Sequence, residues 1–358
     1  MTTIDVPVDE TKVEEFVGKV LTDVSGLMAT RLATLGDKLG LWKDLASNGP
    51  ATSDELATRN GIAERYAREW LAGMHASGYL DYDAATSVYT LPAHAVPVLA
   101  DEGGPVFFGG TFQMAQGTAP IYDELCDAFR SGGGVPQSSF GTDFYEGLQR
   151  FTDGWFENLL VPVWLPLLPD VEAKLIAGCD VADVGTGAGK ALIKLAQHYP
   201  NSRYVGYDIF ETQVELARKN VAAAGVADRV RIELSDPTKD LPESFDVITT
   251  FDVIHDSVDP AGLLAQIQRA LRADGRYVCL DINASHRAEE NVGPLATLFL
   301  GMSVHYCMTT SLAHGGAGLG TCGFNPHTAE QMCTAAGFSS IRRVDMENPF
   351  NNLYEAKP

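Results

Sequence analysis

From Val171 onward the sequence alternates between short, β-branched runs and segments with helical periodicity. No other feature limits the fold as strongly. VADVG, SRYVGYDIF, VRIELSD, FDVITTFDV and RYVCLDI read as strands. GKALIKLAQHY, ETQVELARKNVAAAG and PAGLLAQIQRALRADG read as helices, the last two ending at Gly225 and Gly275. Strands that alternate with helices form a mostly parallel sheet covered on both faces. TAEQMCTAAGF predicts one more helix, SIRRVDM a strand and NNLYEAKP another. Only Glu347 to Phe350 separate these last two strands, too little chain for a helical crossover, so they are expected to pair antiparallel.

Ligands of such sheets bind at the carboxyl ends of the strands. The first strand ends in DVGTGAGK, where Gly185, Gly187 and Gly189 let the backbone turn sharply into a helix and approach a ligand closely. The exposed N–H groups at the start of that helix favour an anion. A phosphate-binding P-loop needs Ser or Thr after its lysine, and Ala191 follows Lys190. The dinucleotide fingerprint GxGxxG needs a third glycine where Lys190 stands. A tight turn that merely joins helix to sheet would use the same glycines. Two further carboxylates end successive strands, however: Asp208 after the second, placed to accept hydrogen bonds from neighbouring ribose hydroxyls, and Asp236 after the third, followed by Pro237.

The N-terminal part has a different pattern. KVEEFVGKVLTDVSGLMATRLATLGDKLGLWKDLA has apolar residues at three- and four-residue spacing and stops near Asn48-Gly49-Pro50. ATSDELATRNGI predicts a short helix capped by Thr52 or Ser53, and AERYAREWLAGMHASGYL a second. Tyr79 to Leu91 predicts two short strands around an Asp-Ala-Ala-Thr turn. This is the order of a winged helix. A DNA-reading winged helix should present a basic second helix, but Glu64, Arg65, Arg68 and Glu69 nearly cancel. Dimer packing or capping of a substrate site is the expected use.

DVGTGAG, YVGYDIF, LSDP and FDVIHD, in that order, resemble the motifs of class I S-adenosylmethionine-dependent methyltransferases, over roughly residues 171–358. The resemblance implies an α/β fold: a Rossmann-like, seven-stranded methyltransferase sheet with a mainly helical, winged-helix-like N-terminal domain. It implies S-adenosyl-L-methionine as cofactor. The loop Gly185, Thr186, Gly187 and Gly189 would lie along its methionine part, Asp183 would belong to the same cofactor site, and Asp208 would lie on its ribose. Asp236 would lie near adenine, Ile209 and Pro237 against the base, and Phe251 within the cofactor site. The cofactor has no phosphate, so its carboxylate would be the anion at the helix start. With the winged helix, the chain further resembles small-molecule O-methyltransferases, which carry a histidine base in an HDW-like motif after the fourth strand. Here His255 and Asp256 match and Ser257 replaces the tryptophan. A hydroxyl nucleophile must lose a proton, and histidine suits that task; a structural or helix-capping histidine is the alternative. FGTDFYEGLQR and HYCMTTSLAHGGAGLGT add a likeness to a less characterised bacterial group of winged-helix methyltransferases.

The expected division is residues 1–100 for dimerisation or capping, 101–170 for a helical connector over the active site, and 171–358 for the methyltransferase domain. In the connector, Phe151, Trp155, Phe156 and Trp164 read mainly as core. The insertion from Asn283 to Pro326 is long enough to shape a site, and Gly315, Gly316, Gly318 and Gly320 predict a tight loop within it. His305, Cys307, His314, Cys322 and His327 match no compact zinc spacing, so no metal is expected. The net charge of −21 argues against nucleic-acid and anionic-membrane partners. No window is read as a membrane span, MTTIDVPVDETKVEEF lacks the pattern of a secretory signal, and the six cysteines are scattered without a CxxC. The expectation is therefore a cytoplasmic homodimer acting on a small-molecule acceptor.

Overall fold

The computed structural model of the protein describes residues 8–358; residues 1–7, part of the segment read above for a signal, lie outside the described residues. The N-terminal periodicity becomes four helices: α1 (Glu10–Lys38), α2 (Leu41–Asn48), α3 (Ser53–Asn60) and α4 (Glu64–Ala76). Gly40, at φ 72°, breaks the first long pattern between α1 and α2. Thr52 caps α3 reciprocally: Glu55 N donates to the threonine hydroxyl at 3.3 Å, and Thr52 N donates to the Glu55 carboxylate at 2.8 Å. Strands β1 (Asp81–Asp83) and β2 (Val88–Thr90) pair antiparallel and form the wing. Asp83 closes their turn by accepting from Ala85 N at 2.9 Å and the Thr86 hydroxyl at 2.7 Å. Trp42 and Trp70 meet edge to face at 4.8 Å in the core of these helices.

The strand–helix alternation becomes a seven-stranded sheet in the order β5-β4-β3-β6-β7-β9-β8. Its strands are β3 (Asp180–Val184), β4 (Arg203–Asp208), β5 (Val230–Leu234), β6 (Phe245–Phe251), β7 (Leu271–Ile282), β8 (Ser340–Val344) and β9 (Asn351–Lys357). β3 to β7 run parallel, and β9 is antiparallel to both β7 and β8, as the short final connection requires. The buried apolar side chains of this unit include Ala182, Val184, Ile248, Leu264 and Ile267, from strands and covering helices.

Two sequence expectations change. The helix expected to reach Gly275 covers Pro260–Ala270 only. Leu271 adopts extended backbone and pairs with Phe245, and a register shift then places Arg276 opposite Val247. Arg272 to Gly275 are thus an irregularity at the start of β7, which helical periodicity cannot distinguish from a last turn. The second change concerns apolar length. Pro294–Ala313 is a continuous helical run long and apolar enough, by length and composition, to cross a membrane. Its Ser, Thr and His residues hide that length in the sequence. It comprises the helices Pro294–Met302 and Met308–Ala313 joined by a π-helical turn at Ser303–Cys307.

Contacts divide the chain into two units. One contains residues up to Gln116 with Asp143–Phe151, and the other Gly117–Thr142 with Thr152–Pro358. The motif FGTDFYEGLQR has a physical role in the first unit. A Cβ on Gly147 would lie 2.5 Å from Met114 N, and one on Gly110 would lie 2.5 Å from Gly147 O, so two helices touch backbone to backbone there. Arg150 then forks onto the buried Asp37 at 2.7 and 2.9 Å and donates to Gln113 at 2.8 Å and Glu102 at 2.8 Å. Its guanidinium also lies over the Phe107 ring. Arg150→Met removes the cation and leaves the Asp37 carboxylate buried without it. We expect a loss of about 3 kcal/mol in urea unfolding; a loss below about 1 kcal/mol would mean that Asp37 regains water.

Candidate active site

The carboxyl edge of the sheet holds the glycine loop. Gly185, Gly187 and Gly189 all have positive φ, at 73°, 52° and 76°. A Cβ on Gly185 would fall 2.6 Å from Val253 Cγ2, and one on Gly189 would fall 3.2 Å from Ala217 Cβ, whereas one on Gly187 would meet nothing within 4 Å. Two of the glycines therefore serve packing, and the third faces open space. The loop is held from behind. Gly185 N and Thr186 N both donate to Tyr207 O, at 2.9 and 3.0 Å. Gly187 N donates to Asp208 Oδ2 at 2.9 Å, and the other Asp208 oxygen accepts from Phe210 N at 3.0 Å. Asp208 thus ties the ends of β3 and β4 together. Burial pushes its carboxyl up despite these N–H donors.

Asp183 lies beneath the loop. The Thr249 hydroxyl, its parallel neighbour on β6, donates to it at 2.6 Å. Burial, with the nearby Asp208 charge adding, pushes Asp183 up to about 6. The Thr186 hydroxyl is buried beside Asp183 and works against that shift. Asp236 accepts from Thr238 N at 3.1 Å and from its hydroxyl at 2.6 Å, and pairs with Lys239 at 2.9 Å. Burial opposes ionisation of Asp236, but these donors hold it below the usual carboxylate range. Ile209 is half exposed at the end of β4, and so is Leu234 at the end of β5. Pro237 is buried. Phe251 stacks on Trp164 and meets Phe156 edge to face, so these aromatics form core below the strand ends. The structure thus brings Asp183, the glycine loop and Asp208 into one assembly. Asp236 turns instead to its own loop.

His255 sits in a single helical turn, Ile254–Asp256, just after β6. It is 3% exposed. Its Nδ1 meets Asp281 Oδ1 at 2.7 Å, and its Nε2 lies 3.2 Å from Asp256 Oδ1. Burial works to lower its pKa, but the Asp281 and Asp256 carboxylates outweigh it and hold the imidazole well above its ordinary value. Asp252, at φ 55°, accepts from Asn351 Nδ2 at 2.7 Å. The insertion closes over this turn: Gly320 N donates to His255 O at 3.2 Å, and Ala317 N to Val258 O at 2.9 Å. A Cβ on Gly316 would lie 2.7 Å from Val258, which explains the glycine-rich stretch. Of the histidines and cysteines weighed above for zinc, His305 bonds Gly301 O, His314 bonds Gln137, and His327 packs on His286. Cys307 instead faces His255 and Asp256.

Asp252, Asp281 and Asn351 escaped the sequence reading. The signal for Asp281 was present, since RYVCLD, like YVGYD, closes a buried apolar run with an acid. Asn351 is far away in sequence and carried no such signal.

Comparison with known proteins bears on the domains and the fold. Residues 175–307 match the family described as a methyltransferase domain, and residues 27–100 the Rv2258c-like winged HTH domain. The chain thus contains a methyltransferase domain at residues 175–307. The methyltransferase domain is 34% identical over 107 residues to a ubiquinone/menaquinone biosynthesis C-methyltransferase of Geotalea daltonii, covering 29% of this chain and 45% of that one. The match thus spans less than half the length of this relative. The O-demethylpuromycin-O-methyltransferase of Streptomyces alboniger is 24% identical over 271 residues, 68% of this chain and 72% of that one. The structure of human N-acetylserotonin methyltransferase in complex with SAM superimposes with a TM-score of 0.71 at 18% identity, covering 100% of this chain and 99% of that one. The fold is that of the class I methyltransferases, with a winged-helix domain before it.

Asp183 offers a test of the buried edge. Between its ordinary 3.8 and about 6, the folded protein keeps a proton that the unfolded chain has released. Stability therefore falls as pH rises through that window. Asp183→Asn can still accept from Thr249 and carries no such penalty. Its melting temperature relative to the parent should rise between pH 4 and pH 6 and level off above. A difference independent of pH would show that Asp183 ionises normally.

Proposed function

We propose that the protein transfers the methyl group of S-adenosyl-L-methionine to a hydroxyl of a small-molecule acceptor. The observation that carries this reading is the glycine loop fixed from behind by Tyr207 O and Asp208, with the face at Gly187 left open. A ligand there meets backbone rather than side chains. The second lone pairs of Asp208 remain available for ribose hydroxyls, and the half-exposed Ile209 and Leu234 offer apolar surface to a base. Pro237, being buried, supports this surface from below. Asp236 lies at the neighbouring strand end for the base's amine. The sulfonium is already activated, so alignment of the acceptor for in-line displacement supplies most of the rate, worth about 7–11 kcal/mol.

The His255–Asp256 pair is the place where the acceptor hydroxyl loses its proton. The imidazole alone does not fit that role, because both of its nitrogens face carboxylates. Asp256 is the more exposed member, at 32% of its side chain. Trp155, Phe299 and Phe350 form an aromatic cluster beside Asn351, the partner of Asp252. The strongly acidic chain suits a small molecule better than a nucleic acid.

The working form in this reading is a cytoplasmic homodimer. Val13, Phe16, Val17, Val20, Leu21 and Val24 form an apolar stripe along α1, all 45–65% exposed. Their three- and four-residue spacing is that of a helix seeking another helix, and a stripe of this length marks an interaction surface. The six cysteines are free thiols, which fits a reducing compartment.

Calorimetric titration tests the cofactor. S-adenosylmethionine and S-adenosylhomocysteine should bind in the micromolar range and NAD should not, and Asp208→Ala should weaken both by at least about tenfold. Tight binding of NAD, or equal binding by the variant, would overturn the reading; methyl transfer to a panel of phenols, amines and thiols then identifies the acceptor atom. For the dimer, Val17→Asp combined with Leu21→Asp should halve the mass measured by light scattering. A parent protein that is already monomeric would refute the second copy.

A further inference from the structure

We propose that His255, Asp256 and Cys307, with Thr321 beside them, form a binding site for a zinc-class divalent cation. The donors are one imidazole nitrogen, one carboxylate and one thiol, all within 4.8 Å of one another. His255 Nε2 and Asp256 Oδ1 lie 3.2 Å apart. Two donors bound to one zinc stand roughly 3.3–3.7 Å apart, given bond lengths near 2.0–2.3 Å. Yet Asp256 Oδ1, although buried, makes no hydrogen bond, even to His255. The two groups are close without being aimed at each other, as ligands are when they converge on a third point.

The Thr321 hydroxyl lies beside the Cys307 thiol, in a residue 4% exposed. A second observation is behind the imidazole. Asp281, fully buried, binds His255 Nδ1 at 2.7 Å, and Ile282 N fixes the same Asp281 oxygen at 2.8 Å. A carboxylate on the far nitrogen is the arrangement that orients a metal-binding histidine and presents its other nitrogen to the ion.

The donor set selects the class. Nitrogen, sulfur and a single carboxylate suit zinc or cobalt better than magnesium or calcium, which want oxygen alone. Three protein ligands leave a fourth position for an oxygen donor, the pattern of catalytic rather than structural sites. An acceptor hydroxyl in that position would be acidified by the cation. This purpose rests on the reading of the His255–Asp256 pair as the activating group, while the site itself rests on the geometry alone. The sequence spacing hid the site, because its ligands come from the turn after β6 and from the π-helical turn of the insertion.

The test is titration of the metal-free full-length protein with cobalt(II), followed by zinc competition. One cobalt per chain should bind and give a thiolate-to-metal charge-transfer band. Cys307→Ala should abolish the band, and Asp281→Asn should weaken binding by about 10–100-fold. Cys333→Ser, which alters a thiol elsewhere in the core, should change neither. Circular dichroism and S-adenosylhomocysteine affinity establish that each variant is folded, so loss of cofactor binding and loss of metal binding are read separately. No charge-transfer band, or a band that persists in folded Cys307→Ala, would overturn the proposal.

Discussion

Parallel pairing of β3 with β4 and β6 is the constraint on which the rest of the second unit depends. Parallel strands all end on one edge, so whatever terminates them is collected there. Asp183 and Asp208 arrive at that edge because each closes an apolar run, and the same geometry delivers Asp252 after β6 and Asp281 within β7. Water is scarce there, so each carboxylate must find donors in the protein. Asp183 finds Thr249, Asp208 two backbone N–H groups, Asp252 Asn351 and Asp281 His255. Once those donors are assigned, the glycine loop and the turn after β6 have little freedom left.

The edge is thereby divided into two chemical halves. On one side of β3, backbone N–H groups and half-exposed aliphatic side chains surround an open glycine. On the other side, beyond β6, three carboxyl groups surround one imidazole, and the insertion covers them. The first half favours a ligand held by shape and hydrogen bonding. The second favours proton or cation chemistry and resists water. In the proposed reaction, methyl donor and acceptor would each take one of these halves.

Much of this was legible before any coordinates. The period-two and period-3.6 patterns gave the strands and most helices, because burial on a sheet and on a helix face leaves different spacings. The antiparallel end of the sheet followed from chain length alone. The glycine loop and Asp208 were readable because local backbone chemistry defines them. What escaped was non-local. Asn351 reaches Asp252 only through the placement of β9 beside β7, and Cys307 reaches His255 only because the insertion folds back. The local partners of Asp236 were not read in advance: Thr238 and Lys239 lie close enough in sequence to bind its carboxylate. The early end of the helix at Ala270 was invisible because Arg272 to Gly275 continue a plausible last turn.

The placement of β9 also bears on how the protein is made. β8 forms the sheet edge but precedes β9 in the chain, and β9 lies between it and β7. During synthesis β8 therefore has no strand to join until the segment after it has emerged and paired. Asn351, the first residue of β9, is also the donor to Asp252. Completion of the sheet and closure of the acidic half of its edge are therefore one event. A chain in which β9 has not yet paired leaves the β7 edge open to other chains.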